Sequence, residues 1–156
     1  MFGFLKKDSN AVVAPVTGKC IRIEEVPDQV FSSKMMGDGF AVVPEGDTAV
    51  APMSGEIVMI PESKHAFGMK TKSGVEFLVH IGLDTVELNG EGFTVLAKQG
   101  SKVRAGDPVI RFDKAFIEGK GINLTTMVVF TGGFDKEIQT DVYNQKVNAG
   151  DVVISE

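Results

Sequence analysis

Short apolar runs recur along the chain, broken by clusters of Gly, Pro, Asn, Asp and Ser. Runs of this length bounded by turn residues predict strands rather than helices. They fit at about 11–16, 19–24, 40–43, 48–51, 55–60, 65–71, 75–81, 93–97, 109–112, 126–131, 137–140 and 152–155. Helix is scarce. Asp113 to Glu118 suits one or two turns with Asp113 as N-cap, and Asp28 to Met36 suits another turn after Pro27. No linker or low-complexity stretch divides the pattern, so residues 1–10 are expected to be a flexible N-terminal segment and 11–156 a single domain.

Two frames repeat. Val13-Ala14-Pro15-x-Thr17-Gly18 returns as Val50-Ala51-Pro52-x-Ser54-Gly55, offset by 37 residues. Lys102-Val103-x-Ala105-Gly106-Asp107-x-Val109-Ile110 returns as Lys146-Val147-x-Ala149-Gly150-Asp151-x-Val153-Ile154, offset by 44. The first frame reads as strand, proline-set turn, strand; the second as a turn feeding a short apolar strand. The expected fold class is therefore all-β: an antiparallel β-sandwich of duplicated, pseudo-symmetric hairpin units with very little helix. The unequal offsets argue against a solenoid.

Composition agrees. There are 21 Val and 10 Ile against 6 Leu, and 18 Gly in 156 residues, a β-branched and turn-rich mixture. Cys20 is the only cysteine, which excludes a disulfide framework, a four-ligand zinc-cysteine site and a CxxC redox motif. The net charge of −5 argues against nucleic acid as a partner and for a self-repelling monomer. No apolar run approaches a membrane span, and the first residues lack the apolar core of a signal peptide. Phe2, Phe4 and Leu5 beside Lys6 and Lys7 allow peripheral membrane contact at most. A cytoplasmic location is expected.

The chain has two histidines, His65 and His80. The stretch 65–80 reads as a β-hairpin. With Lys72-Ser73 as a two-residue turn, opposed residues sum to 145, which sets His65 directly across from His80 on one face. A three-residue loop would shift the sum to 146 and place them on opposite faces. Opposed imidazoles suit two chemistries. One is zinc binding, with His65 and His80 as ligands completed by Asp84 or by a partner's carboxylate. The other is nucleophilic catalysis, in which one ring attacks phosphorus and the second donates to the phosphoryl oxygens. Gly82 lets backbone approach the ring, and the Gly90-x-Gly92 pair fits a tight turn better than a nucleotide loop.

The run Gly74-Val75-Glu76-Phe77-Leu78-Val79-His80-Ile81-Gly82-Leu83-Asp84-Thr85-Val86-Glu87-Leu88-Asn89-Gly90-Glu91-Gly92-Phe93 closely resembles the active-site signature of the glucose-family enzyme IIA of the bacterial phosphoenolpyruvate-dependent sugar phosphotransferase system. Ala14-Pro15-x-x-Gly18, Val26-Pro27-Asp28-x-Val30-Phe31, Gly37-Asp38-Gly39, Ala51-Pro52-x-x-Gly55, Lys64-His65-Ala66 and Gly106-Asp107 match as well, so the resemblance covers about residues 11–155. Asp113-Lys114-Ala115 resembles the lysine turn of lipoyl and biotinyl carriers, but precedes a helical turn instead of sitting in a hairpin.

The resemblance implies a phosphocarrier with a phosphohistidine at His80 Nε2, a phosphoryl-stabilising His65, a hydroxyl at Ser63 where threonine is usual, and an acidic Asp84. Phe31, Met35, Met36 and Val86 match the family's apolar docking rim, with Leu78 and Pro61 standing where some members carry phenylalanine. The implied donor partner is HPr, the histidine phosphocarrier, and the acceptor is a cysteine on an enzyme IIB domain of a sugar permease. Regulatory targets that sense the state of His80 are the alternative reading. No cofactor is required; zinc at His65 and His80 is expected only in a partner complex.

Overall fold

In a computed structural model, residues 10–156 are described. The predicted membrane-contact residues Phe2, Phe4, Leu5, Lys6 and Lys7 lie outside them. The strands are β1 (Val12–Val13), β2 (Gly18–Arg22), β3 (Asp38–Pro44), β4 (Thr48–Val50), β5 (Gly55–Met59), β6 (Ala66–Lys70), β7 (Glu76–Ile81), β8 (Phe93–Val95), β9 (Lys102–Val103), β10 (Pro108–Phe112), β11 (Thr126–Gly132), β12 (Lys146–Val147) and β13 (Val152–Ile154). Two short helices, α1 (Gln29–Ser32) and α2 (Lys114–Gly119), start where capping predicts. Asp28 accepts from Val30 N–H at 2.9 Å and Asp113 from Phe116 N–H at 3.1 Å. The predicted strand at 137–140 is absent: that stretch is irregular, with Ile138 packed on the core from a loop. Two short strands, Lys102–Val103 and Lys146–Val147, were not predicted; each is the lead-in to an Ala-Gly-Asp turn.

All pairing is antiparallel. An eight-stranded sheet runs β12-β2-β3-β11-β7-β6-β5-β9, facing a three-stranded sheet β4-β10-β8 and a two-stranded ribbon β1-β13. The eight-stranded order reads symmetrically about the β11–β7 boundary. Strands β2 and β5, from the two copies of the proline frame, hold equivalent places.

The repeated motifs explain this. Thr17 Oγ1 accepts from Ala149 N–H at 2.9 Å, and Ser54 Oγ accepts from Ala105 N–H at 3.0 Å. Asp107 and Asp151 each accept, at 2.8 Å, from the backbone N–H three residues earlier. The two copies clasp across the fold: Val13 N–H donates to Pro52 O at 2.8 Å and Val50 N–H to Pro15 O at 2.7 Å. The hydroxyl in each proline frame is thus the acceptor that seats an Ala-Gly-Asp turn.

Side chains alternate between two cores, as the strand period requires. Phe40, Val42, Phe67, Phe77, Val79, Ile81, Val128 and Phe130 point into the main core between the sheets. Their neighbours Ala41, Met127 and Val129 point to the opposite face of the eight-stranded sheet, where Ile23, Val26, Phe31 and Leu83 cover them in a smaller core. Full burial of a ring such as Phe31 contributes about 1.5–3 kcal/mol, enough to hold α1 down on the sheet. His80, in the middle of that sheet, faces this second side.

Candidate functional site

The β6–β7 hairpin does not have the predicted register. Ala66 pairs with His80, Phe67 with Val79, Gly68 with Leu78 and Met69 with Phe77, so opposed residues sum to 146. The loop has three residues, Lys72-Ser73-Gly74, because Gly74 takes φ +96° and Thr71 N–H closes onto Val75 O at 2.8 Å. A left-handed third residue is what a three-residue hairpin loop requires. The face pairings of Ala66 with Val79 and Gly68 with Phe77 fail with it.

The histidines nevertheless meet. Their ring centres are 4.8 Å apart at an interplanar angle of 79°. His65 lies at a bend just before β6 rather than in it, and its carbonyl accepts from Ile81 N–H at 2.7 Å. Contact therefore survives a register that would have separated two regular strand residues.

His80 Nδ1 is 2.8 Å from the Gly82 carbonyl oxygen. A carbonyl only accepts, so Nδ1 carries the proton and Nε2 keeps its lone pair. Phe31 packs against the ring, with centroids 5.1 Å apart. Gly82 has φ +85°, and a Cβ there would lie 2.5 Å from Thr85 Cγ2. Thr85 is buried and its hydroxyl donates to Ile81 O at 2.6 Å. Ser63 Oγ is 2.7 Å from His65 Nδ1. With the hydroxyl donating, His65 Nε2 bears its proton and is a donor.

Burial, aided by the neighbouring His65, pushes His80 down to about 4, against the opposing pull of the Gly82 hydrogen bond and the charges of Asp28 and Asp84. Burial also lowers His65. Both rings are neutral near pH 7. Asp84 is exposed, in a left-handed conformation at the start of a 3-10 turn, Thr85–Leu88.

The predicted rim divides. Met35 is 75% exposed, Val86 53% and Met36 38%, so these stand free for contact. Leu78 and Pro61 are half-buried. Phe31 is buried and supports the ring of His80. Three contributions were not anticipated: the charge of Asp28, read only as the start of a helical turn after Pro27 and as part of a family match; the ring contact of Phe31; and Met127, directly opposite His80 on β11. All are long-range neighbours, which no local signal announces. Cys20 is buried, its thiol pushed up to about 12 by burial, so it offers no nucleophile near neutrality. Among the described residues no group of three or more His, Cys, Asp or Glu side chains is arranged to hold a metal.

Residues 10–137 match the family model of the phosphoenolpyruvate-dependent sugar phosphotransferase system, EIIA 1. The chain is 43% identical over 154 residues to the PTS system glucose-specific EIIA component of Halalkalibacterium halodurans, covering 90% of this chain and 89% of that one. It is 50% identical over 120 residues to the protein of the same description from Haemophilus influenzae, covering 77% and 72%. Its fold superposes on glucose permease IIA from Mycoplasma capricolum with a TM-score of 0.87 and 41% identity, covering 99% and 98% of the two chains.

Proposed function

Because the chain belongs to the EIIA 1 family of the phosphoenolpyruvate-dependent sugar phosphotransferase system, and is a phosphocarrier, we propose that the phosphoryl group rides on His80 Nε2. The observation that carries this is the hydrogen bond from His80 Nδ1 to the Gly82 carbonyl, which commits the ring to one tautomer and leaves Nε2 as the nucleophile.

The donor is phospho-HPr. The Nε2 lone pair attacks phosphorus in line, the Nε2–P bond forms, and the donor's N–P bond breaks with its electron pair returning to the donor imidazole. Such a transfer needs positioning and charge stabilisation more than proton movement. His65 Nε2–H, held by Ser63, donates to a phosphoryl oxygen. Phosphorylation makes the His80 ring cationic, and Gly82 O, Asp28 and Asp84 favour that state. The two carboxylates also repel the phosphoryl oxygens and so favour release. A cysteine thiolate of an enzyme IIB domain then attacks phosphorus, and the N–P electrons return to His80.

Met35, Met36 and Val86 form the exposed docking rim, with Leu78 beside the ring and Phe31 beneath it. Unbranched methionine suits a surface that must meet two successive partners. The chain works as a monomer in the cytoplasm; among the described residues no helix is long and apolar enough to cross a membrane. The chemistry needs no cofactor. His65 and His80 supply half of a tetrahedral zinc set, so zinc binding there requires ligands from a partner.

The test is labelling with phosphoenolpyruvate, enzyme I and HPr. Wild-type protein should take up one acid-labile phosphoryl group and His80→Ala none; full labelling of His80→Ala refutes the assignment.

A further inference from the structure

His65 reaches His80 against the geometry of its own hairpin. Position 65 lies across from Ile81, whose N–H it accepts at 2.7 Å, and the Ile81 side chain points into the main core. A regular strand residue at 65 would send its side chain the same way. The ring instead meets His80, on the other side of the sheet.

The break comes one residue earlier. Lys64 has φ +57°, in the left-handed region. Its N–H closes a turn onto Pro61 O at 2.9 Å. The left-handed residue stands between Ser63 and His65 and folds the chain so that Ser63 Oγ and His65 Nδ1 converge at 2.7 Å. The turn is also wedged from outside. A Cβ at Gly90 would stand 3.3 Å from Glu62 O and 3.7 Å from Lys64 Cδ, so the turn and the lysine stem lie over a bare glycine in the loop that follows His80.

From this geometry we infer that Lys64 is a positioning residue: its left-handed backbone turns His65 and Ser63 onto the face of His80. The ammonium plays no part. The inference rests on the reading of His65 as the phosphoryl stabiliser in onward transfer. It makes a distinction between side chains that a charge role would not. Unbranched residues and glycine tolerate the left-handed region; residues branched at Cβ resist it.

The experiment compares wild type with Lys64→Met, Lys64→Gly, Lys64→Val and Lys64→Thr, the last as a polar branched variant should Lys64→Val fold poorly. Three readouts are taken: labelling of His80 by phospho-HPr, discharge to an enzyme IIB cysteine, and the ¹⁵N shifts that report the His65 tautomer. Lys64→Met and Lys64→Gly should match wild type in all three. The branched variants should still be labelled, but discharge about tenfold more slowly, the scale of one strained residue, with the His65 Nδ1 signal changed. Equal discharge by all variants, or a loss shared by Lys64→Met, overturns the inference. Failure of wild type itself to take label at His80 overturns the underlying site reading instead.

Discussion

His80 Nδ1 donates to the carbonyl oxygen of Gly82, two residues along the same chain, at 2.8 Å. The tautomer of the ring is therefore set by backbone, and the backbone is set by a glycine at φ +85°. Gly82→Ala forces a Cβ to within 2.5 Å of Thr85 Cγ2 in a conformation that alanine resists. It should lower stability by about 1–3 kcal/mol and slow phosphoryl acceptance. Thermal unfolding and labelling rates check both; an unchanged labelling rate would show that the carbonyl does not orient the ring.

His65→Gln should separate the two half-reactions. Glutamine leaves His80 with its Gly82 bond and its nucleophilic Nε2, so labelling by phospho-HPr persists. Loss of the imidazole donor removes a contact made to the phosphoryl oxygens in the transition state, and onward transfer should fall by about 10²-fold or more. Rapid-quench measurement of discharge to an enzyme IIB domain decides it; wild-type discharge would remove His65 from the mechanism.

The depressed histidines make stability depend on pH. An unfolded histidine titrates near 6.5, whereas His80 in the fold is pushed down to about 4, chiefly by burial. Between those values the unfolded chain binds more protons, so stability is complete above pH 6.5 and is lost as pH falls toward 4. The shift is worth about 2–3 kcal/mol for this half-buried group. His65 is lowered too and acts in the same direction. Urea unfolding at several pH values, compared with the His65→Gln, His80→Gln double variant, isolates this contribution; identical slopes in the two proteins would exclude it. Phosphoryl acceptance should be nearly flat from pH 6 to 8.

Met35→Asp tests the rim. The side chain is 75% exposed, so the change should move stability by no more than about 0.5 kcal/mol. It should raise the concentration of HPr needed for half-maximal labelling while leaving the saturated rate alone. A fall in the saturated rate at unchanged HPr dependence would place Met35 in the chemistry rather than in docking.

Much of the fold was legible in the sequence because its framework is written twice. Thr17 and Ser54 could be read as equivalent before their shared hydrogen-bonding role was visible. Asp113 announced its helix by capping chemistry and Pro27 marked the turn that follows it, and both signals are local. The hairpin register was not legible, since it turned on whether Gly74 belongs to the loop or to the strand, and only its left-handed φ decides that. The strand assigned to 137–140 failed because an apolar residue in a loop, Ile138, can reach the core without a pairing partner. The expected meeting of His65 and His80 is found, although the register offered for it was wrong. What rescued the pairing was Lys64, an ordinary exposed residue whose backbone conformation has no sequence signature.

His80 sits on β7, one of the two innermost strands of eight, hydrogen-bonded to β6 on one side and β11 on the other. On the proposed mechanism, a residue so placed has little freedom to move when its ring takes up the phosphoryl group. The charged and uncharged carriers then share one shape, and a partner must tell them apart by the charge and bulk on a single nitrogen. On that mechanism, information would leave this protein as an electrostatic mark on a fixed surface, so one unchanged face could receive from one protein and deliver to another.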